Sequence, residues 1–471
     1  MRSVLLILLS TLISASAIAA TPGLDVNDVS MLFPLRPSTF KPYPEINVGQ
    51  NALGGQPLLT QKIFDKIFNQ ASAVLPTLGS RNLKDWRIYA FRYDPCAPGI
   101  AASMGAFAHY GVTKCVQQIR LIAQSSSPDI DVFNGKTIPG KGTTDASLHL
   151  VFQVGAGTPR PDDSAIQELL KLKRLSLAVT GVSTSGQPLR AHPGLQHELE
   201  HGTTNALAIA IRNFVLTRVS LKNLVRVTFS GAVDPNLDIH GVDSGEGASW
   251  VFVGGDISVS QAGESIWTPS ANPSAPGNPV QMFNLFGPHG TVVTPRPSDA
   301  ILSSTPILEK VNFDGDGAMQ PLRLTSAEKS QVHSLSNPMV SHTKNRDCLS
   351  CHNATQLTVL SSASPADPAR FKTPMGITGY PSVATLSRDN WSIRAFGYLD
   401  TDPSISIGVV NESARVADFI NQKILHYANP GPNCSTTDAA VWQCFVHPTE
   451  VPDGHGGKRM PMDQECLASC R

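Results

Sequence analysis

The chain has 471 residues and balances 37 basic against 37 acidic side chains, so it carries no formal net charge. No Lys/Arg run or basic stripe is present, which argues against nucleic-acid binding. Glycine (37) and proline (36) are abundant, a composition that favours a loop-rich mixed architecture of two or three domains over a helical bundle.

Residues 1–19 read as a secretory signal peptide. Arg2 supplies the positive start, Val4 to Ile13 the apolar run, and Ala17-Ile18-Ala19 a small-x-small cleavage site. That run is short for a bilayer, and no other stretch is long and apolar enough to cross one. The expectation is an exported protein, periplasmic or secreted, with no membrane span.

Residues 20–260 read as an α+β domain with antiparallel strands. Thr60 is placed to cap a helix whose Ile63, Phe64, Ile67 and Phe68 form one apolar stripe. Trp86 to Tyr93 and Val116 to Gln124 are strand-like. A Cys96–Cys115 disulfide between them would restrict the unfolded chain by about 3 kcal/mol. In Leu148 to Val154 the residues Leu148, Leu150, Phe152 and Val154 alternate onto one face, leaving His149 on the other as a surface or strand-pairing residue and not a ligand. Ser164-Ala165-Ile166-Gln167 has the form of a capping box opening a helix to about Leu172, and Asn205 to Leu216 is a second helix. Strands resume at Val225 to Phe229, Trp250 to Val253 and Ile257 to Val259.

Residues 261–324 are rich in Pro, Gly, Ser and Asn and read as a linker. Within them Asn312 to Gly317 imitates the opening of a calcium loop, but position twelve is Arg323 where a bidentate glutamate is needed. Residues 325–471 are long enough for a core of their own. Asn411-Glu412-Ser413 introduces a helix bearing Val416, Phe419, Ile420, Ile424 and Leu425. Cys434, Cys444, Cys466 and Cys470 crowd the tail and allow three disulfide connectivities.

Two motifs carry chemistry. The first is Asp347-Cys348-Leu349-Ser350-Cys351-His352, a C-x-x-C-H run with Asp347 placed as a helix N-cap. On a helical turn, positions i, i+3 and i+4 share one face. The motif resembles the covalent haem-attachment site of the c-type cytochromes. That resemblance implies haem c held through thioethers from Cys348 and Cys351, His352 as proximal iron ligand, a mainly helical, loop-rich cytochrome c-like C-terminal domain over 325–471, electron transfer, and a redox partner protein of unknown identity. Removing these two cysteines leaves six, an even number able to pair after export. For the second axial position the sequence offers Met375, Met460, Met462, His426, His447 and His455, with Met460-Pro461 similar to the methionine-proline context of small cytochromes.

The second motif is His197-Glu198-Leu199-Glu200-His201, which satisfies H-E-x-x-H and would suit a secreted zinc-dependent hydrolase. Catalytic zinc needs three protein ligands and an open position. Only two are nameable here, and Gly202 cuts the helix short. A third reading is a secreted binding protein with an accessory haem.

Overall fold

A computed structural model describes residues 23–35, 44–72, 80–98, 115–126, 130–131, 137–138, 143–156, 163–181, 183–184, 187–201, 204–233, 249–270, 280–284, 291–293, 304–308, 310–311, 321–338, 341, 348–361, 395–399, 402–421, 451–452 and 458–459. The leader, the 312–317 turn, Asp347, Ile424, Leu425, the six candidate second ligands (Met375, His426, His447, His455, Met460, Met462) and the four tail cysteines lie outside the described residues.

Strand-forming alternation along the first 300 residues produces a single nine-stranded antiparallel sheet. Its strands are β1 (Ser30–Leu32), β2 (Trp86–Pro98), β3 (Cys115–Ser126), β4 (Thr143–Ala156), β5 (Leu224–Val233), β6 (Ser249–Val259), β7 (Ser265–Pro269), β8 (Val280–Asn284) and β9 (Thr291–Val293). The order across the sheet is β1-β2-β3-β4-β5-β6-β8-β9, and β7 pairs with the far half of β6. The stretch expected as a linker thus contributes β7, β8 and β9 to the same sheet. Its Pro/Gly-rich composition belongs to the connections between short strands.

Period-two alternation divides the sheet into two unlike faces. Phe91, Leu121, Leu148, Leu150, Phe152, Val227, Phe229, Val251 and Val253 all enter one large apolar core. Against this face pack α1 (Gln61–Ser72), α2 (Ser164–Thr180) and α4 (Ala206–Leu216), with α3 (Pro193–His201) beside them. The stripe Ile63, Phe64, Ile67 and Phe68 is buried as its spacing requires. Phe64 meets Trp86 edge-on at 5.5 Å between ring centroids, and Phe68 meets Phe229 at 5.7 Å. Edge-to-face pairs of this kind add to the burial of large rings. Helix α2 is capped one residue earlier than expected, by Asp163, and runs on to Thr180 before Gly181 ends it at φ 67°. The extension past Leu172 is sustained by buried Lys173, whose ammonium pairs with Asp28 at 2.8 Å.

The second face carries residues from the C-terminal third: α5 (Ser326–Ser336), α6 (Cys348–Ser361), the hairpin β10 (Phe396–Leu399) and β11 (Asp402–Ile405), and α7 (Ile407–Phe419). Trp250 and Phe252 of the sheet share an apolar cluster with Leu349, Leu357 and Leu360 of α6 and Val332 of α5. Helix α7 starts earlier than the sequence suggested, at a cap formed by Ser406. Asn411, Glu412 and Ser413 therefore sit inside it and are buried, each with a partner. Asn411 donates to the Ser336 carbonyl at 2.8 Å, Ser413 hydrogen-bonds Ser30 at 2.6 Å, and Glu412 meets two arginines. The α+β character and the antiparallel strands are as read from the sequence. Among the described residues no helix is long and apolar enough to cross a membrane.

Candidate functional site

Between the second face of the sheet and the C-terminal elements lies a cavity that is partly open to solvent. Its floor is the alternate set of strand residues that did not go into the core, including Ser147 and His149 of β4 and Thr228 and Ser230 of β5. Ser147 and Ser230 face each other across the strands and hydrogen-bond at 2.6 Å, which keeps that part of the floor low and polar. The β10–β11 hairpin closes one side. Gln124 fixes it by donating to the Tyr398 carbonyl and accepting from the Tyr398 amide, both at 2.8 Å. This close approach needs Gly397, because a Cβ there would lie 2.3 Å from the Gln124 oxygen.

Helix α6 brings the C-x-x-C-H motif to this space. Cys348, Cys351 and His352 occupy its first turn, and all three line the cavity, as their i, i+3, i+4 spacing requires. Neither cysteine is in a disulfide and both are half-buried. The His352 ring packs against Phe252 at 4.9 Å between centroids. The rest of α6 is buried on all sides, which anchors this turn. Two of its polar side chains tie it to neighbouring segments: Ser350 accepts from the Ser304 amide at 2.7 Å, and Thr355 from the Ile407 amide at 2.9 Å.

His149 overturns an expectation. Alternation correctly placed it on the face opposite the core, but that face is covered, so it is no surface residue. It lines the same cavity as His352, and its remaining exposure opens there. Burial, followed by the charges of Arg120, Arg92 and His352, pushes its pKa down to about 3, against an opposing pull from Glu412. The imidazole is therefore neutral at physiological pH.

Beside it lies a buried charge cluster. Arg92 and Arg120 stand directly opposite each other on β2 and β3 and share the Glu412 carboxylate, at 2.5 and 3.4 Å. Next to them Arg415 pairs with Asp94 at 2.6 Å. Among the described residues these pairs bring three guanidinium groups to two carboxylates. Burial presses the Arg92 pKa down, with Glu412 holding it up and Arg120 adding to the strain. Nε and Nη1 of Arg92 are buried with no hydrogen-bond partner among the described residues. Arg92 lines the cavity, so the site has donors for an anionic group. A buried donor without a partner costs about 1–3 kcal/mol, more when charged.

The H-E-x-x-H motif lies elsewhere, on α3, and its geometry is structural. The Glu198 carboxylate is buried and accepts from the backbone amides of Leu207 and Ala208, both at 2.9 Å. It thereby caps α4, whose own N-cap residue Asn205 makes no side-chain capping bond. An anion receiving two amides at a helix N-terminus is a stabilising arrangement. His197 and His201 stack on the outer side, 4.8 Å between centroids, with His201 exposed. Among the described residues no group of three or more His, Cys, Asp or Glu side chains is arranged to hold a metal ion directly.

Cys96 is buried and disulfide-bonded, and the strand register sets Cys115 opposite Pro98, two residues further along. The Cys115 side chain lies outside the described ones. Sequence reasoning missed the arginine cluster and His149 because both depend on a cover supplied from more than 200 residues away; alternation marked the face but not what would lie on it. Comparison with family models, with curated proteins and with solved structures gave no match.

Proposed function

We propose that the chain is an exported, single-haem c-type cytochrome-like protein that relays electrons one at a time to a redox partner. The observation carrying this reading is that both thiols and the imidazole of Cys348-Leu349-Ser350-Cys351-His352 border one cavity, with neither thiol used in a disulfide.

The residues present fit the group. Cys348 and Cys351 would each add S–H across a vinyl double bond of the porphyrin, sulfur to one carbon and hydrogen to the other, leaving two thioethers and no leaving group. The His352 imidazole would offer a nitrogen lone pair to iron. The orphaned Arg92 donors suit the propionate carboxylates. Bound haem iron supplies a reversible one-electron couple, its potential set by axial ligands, nearby charge and solvent exclusion. The surrounding sheet and helices would limit water on the porphyrin faces, and the buried arginines would stabilise the carboxylates in their charged form.

The test is expression of the full chain in a host with exported haem-maturation machinery. Red protein whose colour survives acid-acetone denaturation, and cycles on addition of oxidant and reductant, is the expected result. Colourless protein from that host would overturn the reading.

A further inference from the structure

The C-x-x-C-H motif supplies one axial nitrogen and leaves open what stands on the other side of the iron. Resting on the reading above, we infer that the second axial ligand is His149, so that the antiparallel sheet is half of the redox site and the iron is held by two imidazoles.

Three observations lead there. His149 and His352 line the same cavity, one rising from the floor strand β4 and the other from the wall helix α6. Both stand over one stretch of the floor. His149 is opposite Thr228, Thr228 is opposite Gly254, and Phe252, which the His352 ring touches, lies two residues along β6. Two strand spacings across and two residues along place the His149 and Phe252 backbones about 12 Å apart, so the imidazole that touches Phe252 and the one that rises from β4 stand over neighbouring parts of one floor. Lastly, β4 is an interior strand, hydrogen-bonded to β3 and β5 on either side. A ligand there is fixed in advance, which is what a metal site of defined geometry needs. Arg92 and Arg120, from neighbouring strands of the same floor, are placed to orient the porphyrin through its carboxylates while His149 meets the iron.

The experiment uses the full chain, wild type and His149→Ala, matured with haem. Covalent haem is read on a denaturing gel, and coordination by absorption and low-temperature electron paramagnetic resonance. Wild type is expected to be low-spin with two nitrogen ligands and no methionine-to-iron charge-transfer band. His149→Ala should keep its covalent haem, lose the low-spin signal to a high-spin one, bind carbon monoxide readily, and recover the low-spin spectrum when free imidazole is added. An unchanged low-spin spectrum in His149→Ala would overturn the inference and leave the proposed function standing. Should that variant fail to fold, a methionine band or a high-spin signal in the wild type would overturn it equally. Absence of covalent haem from both proteins would instead strike the proposed function itself.

Discussion

The two faces of the sheet are built from the same strands, one residue out of phase, yet they do different work. One face is apolar and covered mainly by α1, α2 and α4, with Val416 and Phe419 of α7 joining the core at its margin and Trp86, Phe64 and Phe229 among its large rings. The other is mixed: it carries Arg92, Arg120 and His149 beside the apolar Trp250 and Phe252, and is roofed by the last third of the chain around a cavity. The lesson is that alternation divides labour. Residues facing the core determine that a sheet forms, and residues facing away determine what it can bind.

That division predicts separable effects. The largest belongs to the apolar face. Trp86→Ala empties a buried, ring-packed position and should cost about 3–5 kcal/mol of unfolding free energy. Denaturant titration checks this, and the loss should be the same with and without haem. A stability loss that disappears in the haem-loaded protein would blur the two faces into one.

The mixed face should respond differently. Glu412→Gln removes the carboxylate shared by Arg92 and Arg120 and should destabilise the haem-free chain by about 3 kcal/mol, since breaking a buried pair strands the remaining charge. Propionates would partly replace the lost anion, so the loss should shrink in the haem-loaded protein. Equal losses in both forms would mean that the arginine cluster is purely structural.

A titration sharpens the contrast between histidines. His192, at the start of α3, is buried and accepts the Leu195 amide on Nδ1 at 3.2 Å, and burial pushes its pKa down to about 4. Between pH 6.5 and about 4 the unfolded chain takes up a proton there that the folded chain refuses. Stability is thus fully present above pH 6.5 and falls as pH drops, by about 1.4 kcal/mol per pH unit and about 3 kcal/mol in all. His192→Asn keeps a capping acceptor without a titrating group and should reduce that slope by about 1.4 kcal/mol per pH unit. Chemical denaturation of wild type and variant across this pH range checks it; parallel slopes would contradict it.

Much of this was legible from short-range pattern. The stripe on α1, the alternation of Leu148, Leu150 and Phe152, and the shared face of Cys348, Cys351 and His352 depend only on local periodicity, and the structure reproduces each. What was not legible depended on long-range partners. His149 looked like a surface residue because nothing near it in sequence reveals its cover. The 261–324 stretch looked like a linker because short strands between prolines and glycines give too few residues for alternation to register. Glu198 looked like part of a zinc motif because the two amides it accepts lie nine and ten residues ahead, on the next helix.

The most direct measurement of the central claim is the intact mass of the mature, full-length protein after expression with haem-maturation machinery. The account predicts one porphyrin's mass added covalently to the wild type and no addition in the Cys348→Ala, Cys351→Ala double variant. A wild type at its bare polypeptide mass, or a double variant still carrying covalent haem, would contradict it.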